Sequence, residues 1–112
     1  PYVNIDYKKT LSLVGLTRAG RTERIIAEAR YAYVESEQTY EMAFVVDEVF
    51  QGNGIATFML DYLISIAEER GIKCLSASIL DENVKMSSVL EAASVQPKIS
   101  YEDDIVKYSF EL

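Results

Sequence analysis

Histidine is absent from this 112-residue chain, and cysteine occurs once, at position 74. Without imidazole there can be no Ser-His-Asp or Cys-His arrangement and no His-containing metal site. A single thiol forms no intrachain disulfide, so a reducing, cytoplasmic compartment is the expectation. Cys74 stands in the apolar run Cys74-Leu75-Ser76-Ala77-Ser78-Ile79-Leu80 with no base or cation beside it. It therefore reads as a small core residue and not as a nucleophile. No apolar stretch approaches the roughly 18 residues of a membrane span and no secretory signal is evident, so no membrane partner is expected. Runs of lysine and arginine are missing too. With 11 basic against 18 acidic side chains, the net charge is −7, which removes the usual electrostatic source of nucleic-acid binding. An acidic surface suits a cationic acceptor such as a lysine side chain, although it serves solubility equally well.

What remains is enough for one core and hardly two: 49% of the residues are hydrophobic, and one compact domain over residues 1–112 is expected. The chain opens on Pro1, without a methionine and directly in strand-like sequence, so it reads as part of a longer protein.

Residues 5–16 suit a strand, and Thr17-Arg18-Ala19-Gly20-Arg21 a polar turn. A second strand is expected over 25–34, with Ala27, Ala29, Tyr31 and Tyr33 on one face and Glu28 and Arg30 on the other. These two strands should form a hairpin. After the turn Glu35-Ser36-Glu37-Gln38, residues 40–46 read as a third strand, apolar on both faces after Glu41 and therefore central. The helix that starts near Gly54 carries Ile55, Phe58, Met59, Tyr62, Leu63, Ile66 and Ala67 at helical spacing, which marks a core-facing stripe, and Gly71 closes it. A strand over 73–80 then completes a βαβ unit whose outer strands run parallel. A short helix over 82–93 leads past Pro97 to a last alternating strand bearing Val106, Tyr108, Phe110 and Leu112.

Chemistry concentrates at Val45-Val46-Asp47-Glu48-Val49-Phe50-Gln51-Gly52-Asn53-Gly54-Ile55-Ala56, where a strand passes through an acidic turn into a glycine-bearing helix start. Backbone N–H groups freed by the glycines, together with the positive end of a helix, make an anion site suited to phosphate. A P-loop would need Lys-Ser/Thr after the second glycine, where Ile55-Ala56 stands. A dinucleotide fingerprint would need its glycines directly after the strand, but residues 47–50 intervene, Thr57 replaces the third glycine, and the antiparallel strands upstream fit a doubly wound sheet badly.

Gln51-Gly52-Asn53-Gly54-Ile55-Ala56 resembles the Q/R-x-x-G-x-G/A motif of the GNAT superfamily of N-acyltransferases. Upstream, Ala43 to Phe50 looks like that family's central strand and acidic turn; downstream, Asp81-Glu82-Asn83 followed by Met86 resembles its second cofactor-side motif. The resemblance implies an α/β (α+β) GNAT fold, with a mixed, mostly antiparallel sheet around a central acyl-CoA-binding βαβ unit. It further implies acetyl-CoA or another acyl-CoA as co-substrate, with no metal and no covalent enzyme intermediate. The backbone of Phe44, Val45 and Val46 would pair with the pantetheine arm as an added strand. The N–H groups of Gly52, Asn53, Gly54, Ile55, Ala56 and Thr57, after Gln51, would hold the pyrophosphate. Asn83 would be either a polar contact to the pantetheine or acyl end, or an ordinary cap.

Within the superfamily, Asp6-Tyr7, Leu13-Val14, the strand from Tyr40 to Val46, and Tyr101-Glu102-Asp103-Asp104-Ile105-Val106 look most like the bacterial Pat-type protein lysine acetyltransferases. In those proteins this domain is attached to a regulatory or synthetase-like module. In similar proteins the glutamate at the start of the central strand is the general base, and Glu41 occupies that position. A lysine amine with a pKa near ~10.4 must lose a proton before it can attack a thioester. Two departures from the family pattern stand out: Leu90 occupies the position of a tyrosine acid, and Ala93-Ser94-Val95 replaces L-G-F. The N-terminal strand and two helices that line the acceptor side in relatives have no counterpart in this sequence. An N-acetyltransferase acting on an amine, with protein lysine as acceptor, is the leading expectation; a non-catalytic acyl-CoA-binding or regulatory module is the alternative.

Overall fold

The computed structural model describes residues 9–47, 51–52 and 54–112. Glu48, Val49, Phe50 and Asn53, with the first eight residues, lie outside that description.

The chain forms β1 (Thr10–Ala19), β2 (Thr22–Val34), β3 (Thr39–Val46), α1 (Ile55–Glu69), β4 (Cys74–Leu80), α2 (Val84–Glu91), β5 (Lys98–Glu102) and β6 (Ile105–Glu111). The six strands make one sheet in the order β1-β2-β3-β4-β6-β5, antiparallel throughout except for the β3/β4 pair. This is the expected mixed sheet with a central βαβ unit.

The first hairpin is longer than the sequence pattern suggests. β1 continues through Thr17 and Arg18, and Ala19 pairs with Thr22 across a two-residue loop. Gly20 takes φ 63 there, the positive value that lets so short a loop follow the twist of its strands. The register slips between Gly15 and Leu16, so that Gly15 faces Ala27 while Leu16 faces Ile25. The second turn falls at residues 35–38 as expected, with Gln38 at φ 51 before Thr39.

β3 is central in the sheet, and among the described residues it is covered on one face only. Met42 is buried, whereas Ala43 is exposed and Val45 is 66% exposed. Helices α1 and α2 pack on the face that carries Ala27, Ala29, Tyr31, Met42, Leu75, Ala77, Val106, Tyr108 and Phe110, giving one core. The other face, with Ser12, Glu28, Arg30, Glu41, Ala43 and Val45, carries no helix among the described residues.

α1 is rotated from the expected stripe. Met59, Leu60, Leu63, Ile64 and Ala67 are buried, while Phe58 and Tyr62 stand 71% and 53% exposed and contact each other with ring centroids 6.3 Å apart. The helix is apolar on most of its circumference, so two stripes satisfy the 3.6-residue period, and only the sheet selects between them. Its C-terminus matches expectation: Gly71 at φ 80 donates to the Glu68 carbonyl, and Ile72 N–H bonds back to the Ala67 carbonyl at 3.0 Å. That pair of bonds is the Schellman arrangement.

α2 is shorter than residues 82–93, with Asn83 as N-cap and Ala92 as C-cap. β5 is an addition to the sequence-based expectation. All of its residues are exposed, and the alternation of Ile99 and Tyr101 with Lys98, Ser100 and Glu102 runs for only five residues, too short to stand out beside the longer alternation of the last strand. It is held as an edge strand by pairing with β6 through a tight turn in which Asp103 takes φ 55.

Candidate functional site

β3 and β4 are joined at only two positions, Tyr40 with Leu75 and Glu41 with Ser76. Ser76 is 1% exposed and donates its hydroxyl to the Tyr40 carbonyl at 3.3 Å, fastening the strands just before they part. From Met42 to Val46 the β3 edge has no β4 partner. The fork opens into a cavity of about 750 Å³ lined by Phe44, Val45, Val46, Gln51, Gly52, Gly54, Ile55, Ala56, Thr57 and Asn83, and closed by Lys85, Met86, Ser88 and Val89 of α2. That is the size of a small-molecule or cofactor site.

One end of the cavity is a helix start with free donors. Gly52 and Gly54 adopt φ 84 and 86, values that L side chains disfavour. Gly54 caps α1 without any side-chain hydrogen bond, and no acidic residue stands in the first turn. The first intrahelical bond runs from Phe58 N–H to the Gly54 carbonyl at 2.9 Å. The N–H groups of Ile55, Ala56 and Thr57 precede it and have no helical acceptor. With the helix dipole behind them, they favour an anion.

The approach to this cradle is fixed from β2. Asp47 donates its backbone N–H to the Ile26 carbonyl at 2.7 Å, and its carboxylate pairs with Arg24. The Gln51 side chain then bridges the cavity's rim: its amide nitrogen donates to the Val46 carbonyl at 3.0 Å, and its oxygen accepts from Lys85 Nζ at 3.3 Å. Lys85 is the only charged side chain lining the cavity among the described residues. It stands two residues after Asn83 in the first turn of α2, and that proximity to the second motif is the signal by which the sequence could have shown it. Asn83 is an N-cap in fact: its Oδ1 accepts from Met86 N–H at 3.1 Å. It lines the cavity as well, and capping leaves its amide nitrogen as a donor.

Ten of the sequence-predicted residues thus share one cavity, and Asn53 lies outside the described residues. Glu41 is not in that lining. It sits at the fork on the helix-free face of β3, beside a second hollow of about 630 Å³ lined also by Thr10, Ser12, Glu28, Arg30, Ala32, Ala43 and Arg70. Among the described residues, no hydrogen bond or ion pair engages its carboxylate. Leu90, in place of a tyrosine acid, is fully buried core. Tyr108 and Lys98, whose titration is displaced, line neither hollow. Burial, and then the 3.1 Å hydrogen bond to Glu91, raise the Tyr108 phenol; the 2.7 Å bond to Glu111 raises Lys98.

Residues 3–92 match the Acetyltransferase (GNAT) family. The chain is 32% identical over 88 residues to Acetyltransferase Pat of Mycolicibacterium smegmatis, a match covering 78% of this chain and 26% of that protein. It therefore spans about a quarter of that relative's length. It superimposes on the crystal structure of the GNAT domain of S. lividans PAT with a TM-score of 0.79 and 31% identity, over 96% of this chain and 63% of that one. A Salmonella typhimurium protein, yncA, solved with its cofactor acetyl-CoA, shares the fold with a TM-score of 0.63 and 18% identity, over 79% of this chain and 58% of that one.

Proposed function

The chain belongs to the Acetyltransferase (GNAT) family, and from that premise we propose that it transfers an acetyl group from acetyl-CoA to the side-chain amine of a protein lysine. The observation that carries this reading is the fork between β3 and β4 ending on an uncapped helix N-terminus. An unpaired strand edge and an anion cradle occupy the two ends of one 750 Å³ cavity, matching a ligand with an amide-bearing arm and a pyrophosphate.

The residues fit acetyl-CoA. The N–H groups from Ile55 to Thr57, the glycine turn before them and Lys85 would hold the phosphates. The free edge at Phe44, Val45 and Val46 would hydrogen-bond the amides of the pantetheine arm, and the Asn83 amide is a further donor. Acetyl-CoA supplies a thioester whose departing thiolate, with a pKa near ~8.5, leaves without strong acid assistance, which is consistent with leucine at position 90. Glu41, at the fork, would accept the proton from the acceptor ammonium so that the amine can form its bond to the acetyl carbon as the carbon–sulfur bond breaks. The net change is amide, CoA thiol and one released proton. Lysine as acceptor rests on the resemblance to the Pat-type enzymes.

Acetyl-CoA should bind this chain in calorimetry, and Glu41→Gln should lower turnover by about 10²–10⁴ while leaving acetyl-CoA affinity nearly unchanged. Equal turnover of the variant across pH would remove Glu41 as base. The placement of Glu41 outside the lining of the large cavity favours one second reading, a non-catalytic acyl-CoA-binding module. Tight binding with no thiol release against any amine would support it.

A further inference from the structure

The hollow beside Glu41 is lined from both faces of the sheet, by Arg70 on the helix side and Arg30 on the helix-free side, and these two cations are in unlike states. Arg70 reaches it from the end of α1 and is engaged, donating to the Tyr31 hydroxyl at 3.1 Å and towards the Thr10 carbonyl at 3.5 Å. Arg30, on β2, has no hydrogen-bond or ion-pair partner among the described residues. It stands between two carboxylates on that face. Glu28, two residues before it on the same strand, accepts from the Ser12 hydroxyl at 2.9 Å. Glu41 lies across the sheet: Arg30 pairs with Ala43 and Ala32 with Glu41, so Arg30 and Glu41 are diagonal neighbours, about 7–8 Å apart. The floor between them is made of Ala32 and Ala43, and such small side chains leave room for a ligand lying flat on the strands.

This pattern has a chemical complement. A carboxylate without a partner and a guanidinium without a partner, one diagonal step apart, match a ligand that carries an ammonium and a carboxylate at that spacing. We propose that Arg30 selects the acceptor: the preferred lysine lies in a peptide segment with an aspartate or glutamate beside it, whose carboxylate docks on Arg30 while the lysine ammonium meets Glu41. This rests on the proposed lysine acetyltransferase reading and adds its substrate class. The chain's overall charge of −7 favours cationic segments at long range. Arg30 acts locally, where bidentate geometry and not net charge decides register.

The test compares two otherwise identical peptides with a central lysine, one flanked by aspartate or glutamate and the other by asparagine or glutamine. Both are assayed for acetylation by the unmodified chain, by Arg30→Gln and by Arg30→Glu. Arg30 is exposed, so the variants should fold, which circular dichroism checks. The unmodified chain should prefer the acidic peptide by about tenfold in kcat/KM, as one exposed charge-assisted contact allows, and the preference should lie in KM. Arg30→Gln should bring the ratio to one, and Arg30→Glu should turn it in favour of the peptide flanked by asparagine or glutamine. A tenfold preference that survives Arg30→Gln would overturn the proposal. So would faster acetylation of free lysine than of either peptide, because the carboxylate would then belong to a free amino acid. Peptide affinity measured by fluorescence anisotropy separates the two layers. An Arg30-dependent preference without any transfer would retain the acceptor assignment and reject the enzyme; transfer without the preference would do the reverse.

Discussion

Gly54→Ala tests the central element of the site, because it alters the backbone and almost nothing else. Gly54 sits at φ 86, and a Cβ built there meets no atom within 4 Å, so the methyl group causes no clash and the penalty is conformational. A left-handed backbone costs an L residue about 1–2 kcal/mol, and the narrower unfolded ensemble of alanine offsets about half of that. A net loss of about 1 kcal/mol lowers Tm by roughly 4–6 °C in a domain of this size. Gly15→Ala is the internal control. Its Cβ would lie 3.4 Å from the Ala27 Cβ, an ordinary contact, and its φ is not in the left-handed range, so it should leave Tm unchanged or raise it slightly. Gly54→Asn should fall between alanine and the unmodified chain, since asparagine tolerates the left-handed region. If the proposed function is right, Gly54→Ala should also weaken acetyl-CoA binding by about tenfold or more, because the N–H groups of residues 55–57 lose their common direction when the turn relaxes. Thermal melting with and without acetyl-CoA reads both effects. Equal Tm values for Gly54→Ala and Gly15→Ala would refute the positive φ, and with it the cradle.

Two further outcomes follow from side-chain geometry. Asn83→Ala removes the only side-chain cap of an eight-residue helix and should cost about 1 kcal/mol in urea unfolding at unchanged m, with Asn83→Asp recovering most of it; no loss would mean that α2 is held by packing alone. Tyr108 has a raised pKa in the folded chain, so its contribution is fully present below the unfolded value near ~10 and is lost as pH rises through the folded value, because the unfolded chain gives up the proton first. Stability measured from pH 8 to 11.5 should therefore fall more steeply for the unmodified chain than for Tyr108→Phe, and parallel curves would contradict the burial effect.

Much of the site is legible in the sequence because local constraints write it. Gly52 and Gly54 mark positive φ, the apolar spacing after them marks a helix, and the acidic turn between strand and glycine separates this arrangement from nucleotide-binding turns. Asn83 was legible as a residue of either kind, and the structure shows it as both cap and lining. Lys85 and the Gln51 bridge were not, since they depend on how close the start of α2 comes to the glycine turn, a distance fixed by the sheet. The stripe on α1 was misplaced by one helical position in both turns containing Phe58 and Tyr62, because an almost wholly apolar helix has no unique face until it is docked.

By itself the sequence determined five of the six strands and both helices in outline, the glycine turn before α1, and a helix start that resembles the GNAT motif. These are short-range matters, decided by side-chain shape, spacing and backbone sterics within a few residues. Only the tertiary structure decided that β3 and β4 part after Glu41, that Glu41 faces away from the large cavity, and that Arg30 stands one diagonal step from it without a partner among the described residues. Those facts depend on register between strands far apart in the chain, where a shift of one residue would send each side chain to the opposite face.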